Sequence, residues 1–356
     1  MAKKEHPFKD FFGQVRQDLK ETNLRKSLMR DLREIYEFYL TPKELAELAA
    51  MGWFRRWIYR IFWFAKSIIL KLTAFRRILV LLSLILLIDT ENTQRVTGAY
   101  LILFLVLILE LKDKLLAHDE LNAGRAVQAA LRPRECPNIN GWDAYMYTRS
   151  ANQVGGDLID CTQVDDSVGF MIGDVAGKGL GAALLMAQLQ AGVQALVSHF
   201  KSTPQLVTQL NRLYCRGGVT NRFISFLYMT VKSESDTVSF VNAGHLPPLI
   251  VRQNNIIEWQ KGGTALGLNP AAEYQQDSVT LHMNEICVLY TDGITEARNE
   301  KGEFFGDTFF HETLLKAPRQ SSESYAKHII KIVDDFIGNA TRSDDLTMLI
   351  LKRSGA

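Results

Sequence analysis

Phe223-Ile-Ser-Phe-Leu-Tyr-Met-Thr-Val-Lys-Ser-Glu-Ser-Asp-Thr-Val-Ser-Phe-Val-Asn-Ala-Gly-His-Leu-Pro-Pro-Leu-Ile-Val251 is the stretch that decides the fold. Two runs of strand length, 223–231 and 237–242, follow one another with no helix between them. Their β-branched and aromatic content suits buried sheet. Strands so closely joined pair antiparallel, since parallel neighbours need a crossover of a dozen or more residues. The pattern therefore favours α+β over a doubly wound sheet.

Outward from this core, the same reading gives strands at 143–149, 157–162, 167–174, 286–291 and 346–351. It gives helices at 179–200, 204–216, 307–317 and 321–337, the last closed by Gly338. The domain so outlined spans 134–356. A helix at 110–131, ended by Arg132-Pro133, leads into it, and the linker is drawn at 112–133. Its apolar positions make no sustained heptad, so it is read as a switch or dimer-forming linker without a coiled coil.

The N-terminal third has a different character. Residues 1–52 are mixed and charged, with a helical patch at 26–40 and a second helix start at Thr41-Pro42. The polar opening gives no sign of a cleavable signal peptide. Residues 53–111 turn aromatic and basic, then strongly apolar, with charge-free runs at Ile78–Ile88 and Val96–Leu109 around a polar loop, 89–95. Each run is shorter than the ~20 residues of an ordinary span. Helices apolar on every face nonetheless need lipid or a large core around them. Lys66, Lys71, Arg76, Arg77, Lys112 and Lys114 flank the pair, whereas Asp89 and Glu91 sit in its loop. That is the positive-inside pattern for a transmembrane or re-entrant hairpin with both ends in the cytoplasm, at the inner membrane, and Trp53, Trp57 and Trp63 suit the headgroup layer. A buried hairpin in a soluble protein is the alternative.

Composition narrows the function. A net charge of +2 offers no general attraction for nucleic acid. The four cysteines form no CxxC pair, which argues against a zinc site or a disulfide framework. No Gly-x-Ser-x-Gly or Cys/His arrangement supplies a nucleophile.

Four aspartates carry the chemistry instead. Asp157, Asp174, Asp292 and Asp344 each stand at a predicted strand end beside glycine or a polar turn. One Asp-Gly alone marks a turn. Four carboxylates converging on one end of a sheet would repel one another unless a cation neutralised them, and hard oxygen ligands suit Mg²⁺ or Mn²⁺. Two such ions roughly 3.5–4 Å apart can clamp phosphoryl oxygens and activate a water. Phosphate-monoester hydrolysis, which needs rate enhancements of up to about 10²¹, asks for this apparatus. The glycines around Asp174 allow close approach of backbone, ahead of a helix N-terminus that favours anions. The run Gly155-Gly-Asp-Leu-Ile159 lacks the acidic-then-Phe ending of a diguanylate cyclase loop.

In combined order and spacing, Gln128-Ala-Ala-Leu-Arg-Pro133, Val154-Gly-Gly-Asp-Leu-Ile-Asp160, Gly173-Asp-Val-Ala-Gly-Lys-Gly-Leu-Gly-Ala-Ala-Leu-Leu-Met186, Phe240-Val-Asn-Ala-Gly-His-Leu-Pro-Pro248, Leu266-Gly-Leu268, Tyr290-Thr-Asp-Gly-Ile-Thr-Glu-Ala297 and Asp344-Asp-Leu-Thr347 resemble the SpoIIE/RsbU-type branch of the PPM (PP2C-like) protein serine/threonine phosphatases. The resemblance covers about 120–352. It implies a four-layer αββα sandwich of two antiparallel sheets with a binuclear Mn²⁺/Mg²⁺ site at one end. Asp174 looks like the bridging ligand, with the Val175 carbonyl beside it, and Asp157, Asp292 and Asp344 complete the set. Gly177, Lys178, Asp345 and His245 are further positions expected to meet phosphate or support the ligands, with His245 read as a turn residue before an acid. The implied substrate is a phosphoserine or phosphothreonine on a signalling protein, such as an anti-sigma-factor antagonist. The resemblance also implies that the helix before the domain switches activity.

Two departures stand out. Val175-Ala176 occupy the place where the eukaryotic branch has a leaving-group histidine, and no equivalent of that branch's phosphate-binding arginine is visible. An inactive phosphatase fold serving as a membrane-bound scaffold is the competing reading, against which all four aspartates argue.

Overall fold

The computed structural model describes residues 40–88, 91–131, 136–217, 222–260 and 262–355. The chain divides into two compact units, with the division between Leu115 and Leu116.

Period-two burial builds the C-terminal unit. One sheet runs β1 (Trp142–Arg149), β10 (Leu346–Arg353), β9 (Ile286–Tyr290), β6 (Leu249–Val251), β7 (Ile256–Glu258); the other runs β2 (Leu158–Val164), β3 (Ser167–Val175), β4 (Ile224–Lys232), β5 (Thr237–Ala243), β8 (Asp277–Thr280). Every pairing within the two sheets is antiparallel. On β4, Leu227, Met229 and Val231 meet Leu289, Leu349 and Leu351 of the other sheet in a central core. The alternate residues Phe226 and Tyr228 point outward, beneath α5 (Leu180–Leu196) and α6 (Thr203–Arg216). The outer face of the first sheet is covered by α7 (Asp307–Lys316) and α8 (Ser322–Ile337), through Phe310, Tyr325, Ile329 and Val333. Each buried Leu or Phe contributes roughly 1.5–3 kcal/mol, so three apolar layers hold the sandwich.

The expected four-layer αββα architecture is the one the chain adopts. Each long strand predicted from sequence is present to within two residues of its ends. The short strands β6, β7 and β8 were not predicted, because three or four residues give too little periodicity to read. β6 also leaves its sequence neighbour β5 to pair with β9 in the opposite sheet. At the other end of the predicted helix list, Ser321 and Ser324 form a reciprocal cap at the start of α8, and Gly338, with φ of 59°, closes it.

The N-terminal unit is helical. Thr41 and Glu44 form a capping box at the start of α1 (Pro42–Ala50), followed by α2 (Trp53–Lys71) and α3 (Ala74–Leu86). α4 (Thr93–Leu131) is one helix of 39 residues. The boundaries expected at 110 and at 111/112 thus fall inside a continuous helix. Arg76, read from sequence as a flanking cation, is buried and ion-paired to Glu110 and Asp113, each at 2.6 Å. Residues 26–39, Asp89 and Arg132-Pro133 lie outside the described residues.

Candidate active site

Antiparallel pairing brings the four aspartates to one end of the sandwich. β3 and β9 end there with Asp174 and, two residues beyond Tyr290, Asp292; β2 and β10 begin there, one residue after Asp157 and two after Asp344. Val175, the last residue of β3, turns its carbonyl toward the Gly156–Asp157 turn, where a Cβ on Gly156 would lie 3.4 Å from that oxygen.

The electrostatics record this convergence. Asp157 is 7% exposed, and burial followed by the charge of Asp174 pushes its carboxyl well above the ordinary range. Burial, then Asp292, Asp344 and Asp345, push Asp174 up to about 6. Asp292 is raised by burial and by Glu296 and Asp344, with Lys178 partly opposing. Carboxylates that raise one another in this way are relieved by a cation. The donors are all hard oxygens and so fit Mg²⁺ or Mn²⁺. As the side chains stand, no three His, Cys, Asp or Glu groups among the described residues close tightly enough to hold an ion. Asp344 is engaged within the chain: Oδ2 accepts from Lys178 Nζ at 2.7 Å, and Oδ1 accepts from the Asp345 amide at 3.0 Å.

Asp345 serves the site through the backbone. Its Oδ1 accepts from the Ala151 amide at 2.8 Å, and its Oδ2 from the amides of Gly156 at 2.7 Å and Asp157 at 3.4 Å. The side chain is thereby committed to shaping the turn that presents Asp157. Thr291 donates to Asp157 Oδ2 at 2.8 Å and holds the other side of that carboxylate. Gly293 packs so closely on this region that a Cβ there would lie 1.7 Å from the Asp345 carbonyl oxygen. A glycine is required after Asp292 for that reason.

Among the remaining predicted positions, His245 is 6% exposed and pushed down to about 4 by burial. It is neutral near pH 7 and unsuited to donate a proton. Its backbone N–H donates to Asn242 Oδ1 at 2.8 Å, its carbonyl accepts from Asn242 Nδ2 at 3.1 Å, and its Nδ1 lies 3.0 Å from Ser225 Oγ. This is a turn fastened to β4 through Ser225 and to β5 through Asn242. Gly177 lies in the turn after Asp174, in the left-handed region with φ of 107°, and Lys178 next to it reaches Asp344 and the Ser343 carbonyl.

Sequence reasoning missed Thr291, although it stands inside Tyr-Thr-Asp-Gly, and it missed Arg222. The Arg222 guanidinium lies over Gly177 and Gly181, and its buried Nη1 has no hydrogen-bond partner among the described residues. A cation against the first turn of α5 opposes the helix dipole, an arrangement relieved by an anion between them. No local sequence pattern marks it.

Asp174, Ala176, Ser225, His245, Thr291 and Asp292 contribute to a pocket of about 260 Å³. A larger depression of about 730 Å³ lies at the opposite end of the β2–β3 hairpin, around Asp165, Ser167, Lys201 and Tyr228. It contains none of the four aspartates.

Comparison with known proteins agrees with this fold. The Stage II sporulation protein E (SpoIIE) family matches residues 164–354. Phosphoserine phosphatase RsbU of Bacillus subtilis (strain 168) is 26% identical over 240 residues, covering 66% of this chain and 70% of RsbU. Protein IcfG of Synechocystis sp. is 27% identical over 269 residues, covering 66% of this chain but only 42% of IcfG. Among solved structures, the SiaA-PP2C domain of Pseudomonas aeruginosa aligns with a TM-score of 0.60 at 19% identity, covering 67% of this chain and 98% of that one. The SpoIIE phosphatase domain with a fragment of its regulatory domain, from Bacillus subtilis, aligns with a TM-score of 0.53 at 13% identity, covering 61% of this chain and 64% of that one. At such identities the structures speak for the fold.

Proposed function

Since the chain belongs to the SpoIIE family and carries a PP2C-type serine/threonine phosphatase domain, we propose that it is a membrane-anchored enzyme that removes phosphate from phosphoserine or phosphothreonine of a signalling partner, an anti-sigma-factor antagonist being the type expected. The observation that carries the catalytic part is the arrival of Asp157, Asp174, Asp292 and Asp344 at one end of the sandwich, where burial and neighbouring carboxylates raise the carboxyls of Asp157, Asp174 and Asp292.

Asp157, Asp174, Asp292, Asp344 and the Val175 carbonyl would hold two Mn²⁺ or Mg²⁺ ions, which when bound polarise the phosphoryl group and activate the attacking water. The chain's own residues set the geometry. Asp345 and Thr291 fix Asp157. The neutral His245 and Ser225 line the approach beside Asp174. Arg222, over the N-terminal turn of α5, offers positive charge to a phosphate oxygen.

Membrane anchoring rests on the surface of the N-terminal helices. Ile78, Ile85 and Ile88 of the first apolar run and Tyr100, Leu101 and Phe104 of the second are exposed, Ile88 at 80%. Such a patch on a helical pair is a liability in water and ordinary against lipid. α2 carries Arg55, Arg56, Arg60, Lys66 and Lys71 and no acidic residue, which suits the cytoplasmic headgroup layer. Both ends of the hairpin, and the phosphatase domain, then lie in the cytoplasm. The linker helix 112–131 carries the regulatory signal and is the place for a homodimer contact.

The test is hydrolysis of an aryl phosphate by the full-length chain. Turnover is expected with Mn²⁺ and not in EDTA. Full turnover in chelator would remove the metal-dependent reading.

A further inference from the structure

Lys178 stands between two glycines in the left-handed region, Gly177 and Gly179, on the turn that leads from Asp174 into α5. From there its ammonium meets Asp344 Oδ2 at 2.7 Å and the Ser343 carbonyl. Asp344 is one of the carboxylates assigned above to metal, so the same oxygen has two claimants. The pair is half-exposed, at 56% and 35% of the two side chains, so the contact is open to exchange.

We propose that Lys178 is a tethered cation that competes with the divalent ion for Asp344, so that ion capture at this carboxylate and release of the lysine are one coupled event. The inference rests on the reading of Asp344 as a ligand and adds a regulator to it. When the ion is absent, the ammonium neutralises Asp344 and keeps a cluster of like charges from splaying apart. An ion bound at Asp344 would release the ammonium from that carboxylate and leave its positive charge at the rim of the site. A lysine suits this exchange better than an arginine, being a compact point charge on a flexible stem that forms no bidentate fork with carboxylate. Ion loading and a gain of positive charge at that rim would then rise together.

The experiment is a calorimetric titration of the full-length chain with Mn²⁺ alone, comparing wild type with Lys178→Met, Lys178→Arg and Asp344→Asn. Removing the competing charge should tighten the weaker Mn²⁺ step by about fivefold, and the gain should shrink at high salt as the charges are screened. Lys178→Arg should bind Mn²⁺ more weakly than wild type, because the guanidinium fork holds the carboxylate more firmly, and Asp344→Asn should lose one equivalent of Mn²⁺. Equal or weaker binding by Lys178→Met, with the equivalent still lost in Asp344→Asn, overturns the competition while leaving Asp344 a ligand. Full stoichiometry in Asp344→Asn overturns the ligand reading and the competition with it. Because the readout is stoichiometry and affinity, a variant that is merely a poor catalyst does not mimic the result.

Discussion

Two apolar stretches of this chain meet opposite environments. Leu180–His199, within the catalytic unit, is long and apolar enough to cross a membrane by composition. Its Ala182, Leu185, Met186, Leu189 and Val193 nevertheless pack against Phe226, Tyr228 and Leu210, in the layer beneath the second sheet. The runs on α3 and the first half of α4 are shorter, yet Ile78, Leu81, Ile85, Leu101 and Phe104 stand exposed. Apolar content alone therefore does not separate a span from a core helix. What separates them is whether the rest of the fold supplies a matching surface.

The largest effect should come from breaking the catalytic unit without touching the helices. Asp174→Asn or Asp292→Asn removes one of the carboxylates proposed to hold metal. Activity on an aryl phosphate should fall at least about a thousandfold, while the protein stays in the membrane fraction. The reciprocal change is deletion of residues 76–111. Most of the protein should then move to the soluble fraction with Mn²⁺-dependent turnover retained. Intact protein that is already soluble after a high-salt wash would place the exposed hairpin against protein instead of lipid.

A smaller effect concerns the site's own repulsion. Asp174 keeps its proton in the folded chain up to about pH 6, whereas its ordinary value is 3.8. Between those values the folded state binds more protons than the unfolded one, so stability falls as pH rises through that window. In EDTA the catalytic unit should therefore be less stable at pH 7.5 than at pH 4, the carboxylates of the cluster titrating together. Mn²⁺, binding the ionised form, should restore stability at pH 7.5. Thermal melts with and without chelator measure it, and a melt independent of both pH and Mn²⁺ would mean the carboxylates do not act as one cluster.

The same particulars show what could be read from the chain. The long strands and the placing of the four aspartates at strand ends were legible because a buried strand imposes period two and because Asp-Gly and Gly-Gly-Asp interrupt it at fixed places. The full length of α4 was not, since Val96–Leu109 reads as one kind of helix and Glu110–Leu131 as another, and nothing in the residues forces a break. Asp345 was legible only as a neighbour of Asp344. Its bonds to the amides of Ala151, Gly156 and Asp157 join positions nearly two hundred residues apart, a relation no local pattern encodes. Lys178 was visible in the Gly-Lys-Gly run, but its partner is set by the sandwich, which brings the end of β3 and the start of β10 to the same end of two different sheets.

The smallest effect tests whether the helix before the domain reaches the chemistry. Gln128, on α4, is buried, and its amide forms a two-way clamp on one residue: Nε2 donates to the Gly155 carbonyl at 2.8 Å, and the Gly155 N–H donates to Oε1 at 3.1 Å. Gly155 is two residues before Asp157, and Asp345 holds the amide of Gly156 between them. Any rotation or retreat of the helix that withdraws Gln128 leaves two backbone groups of that turn unpaired and loosens Asp157. Unsatisfied buried groups cost about 1–3 kcal/mol each, but part of that is recovered when water enters the opened turn. Gln128→Ala should therefore lower turnover by several-fold and weaken Mn²⁺ binding in parallel, with membrane attachment unchanged. Gln128→Glu keeps the acceptor for the Gly155 amide but sets a carboxylate against the Gly155 carbonyl, and should fall further than Ala. If both variants bind Mn²⁺ and turn over as wild type does, the helix holds the domain in place without governing it, and the regulatory signal must enter elsewhere.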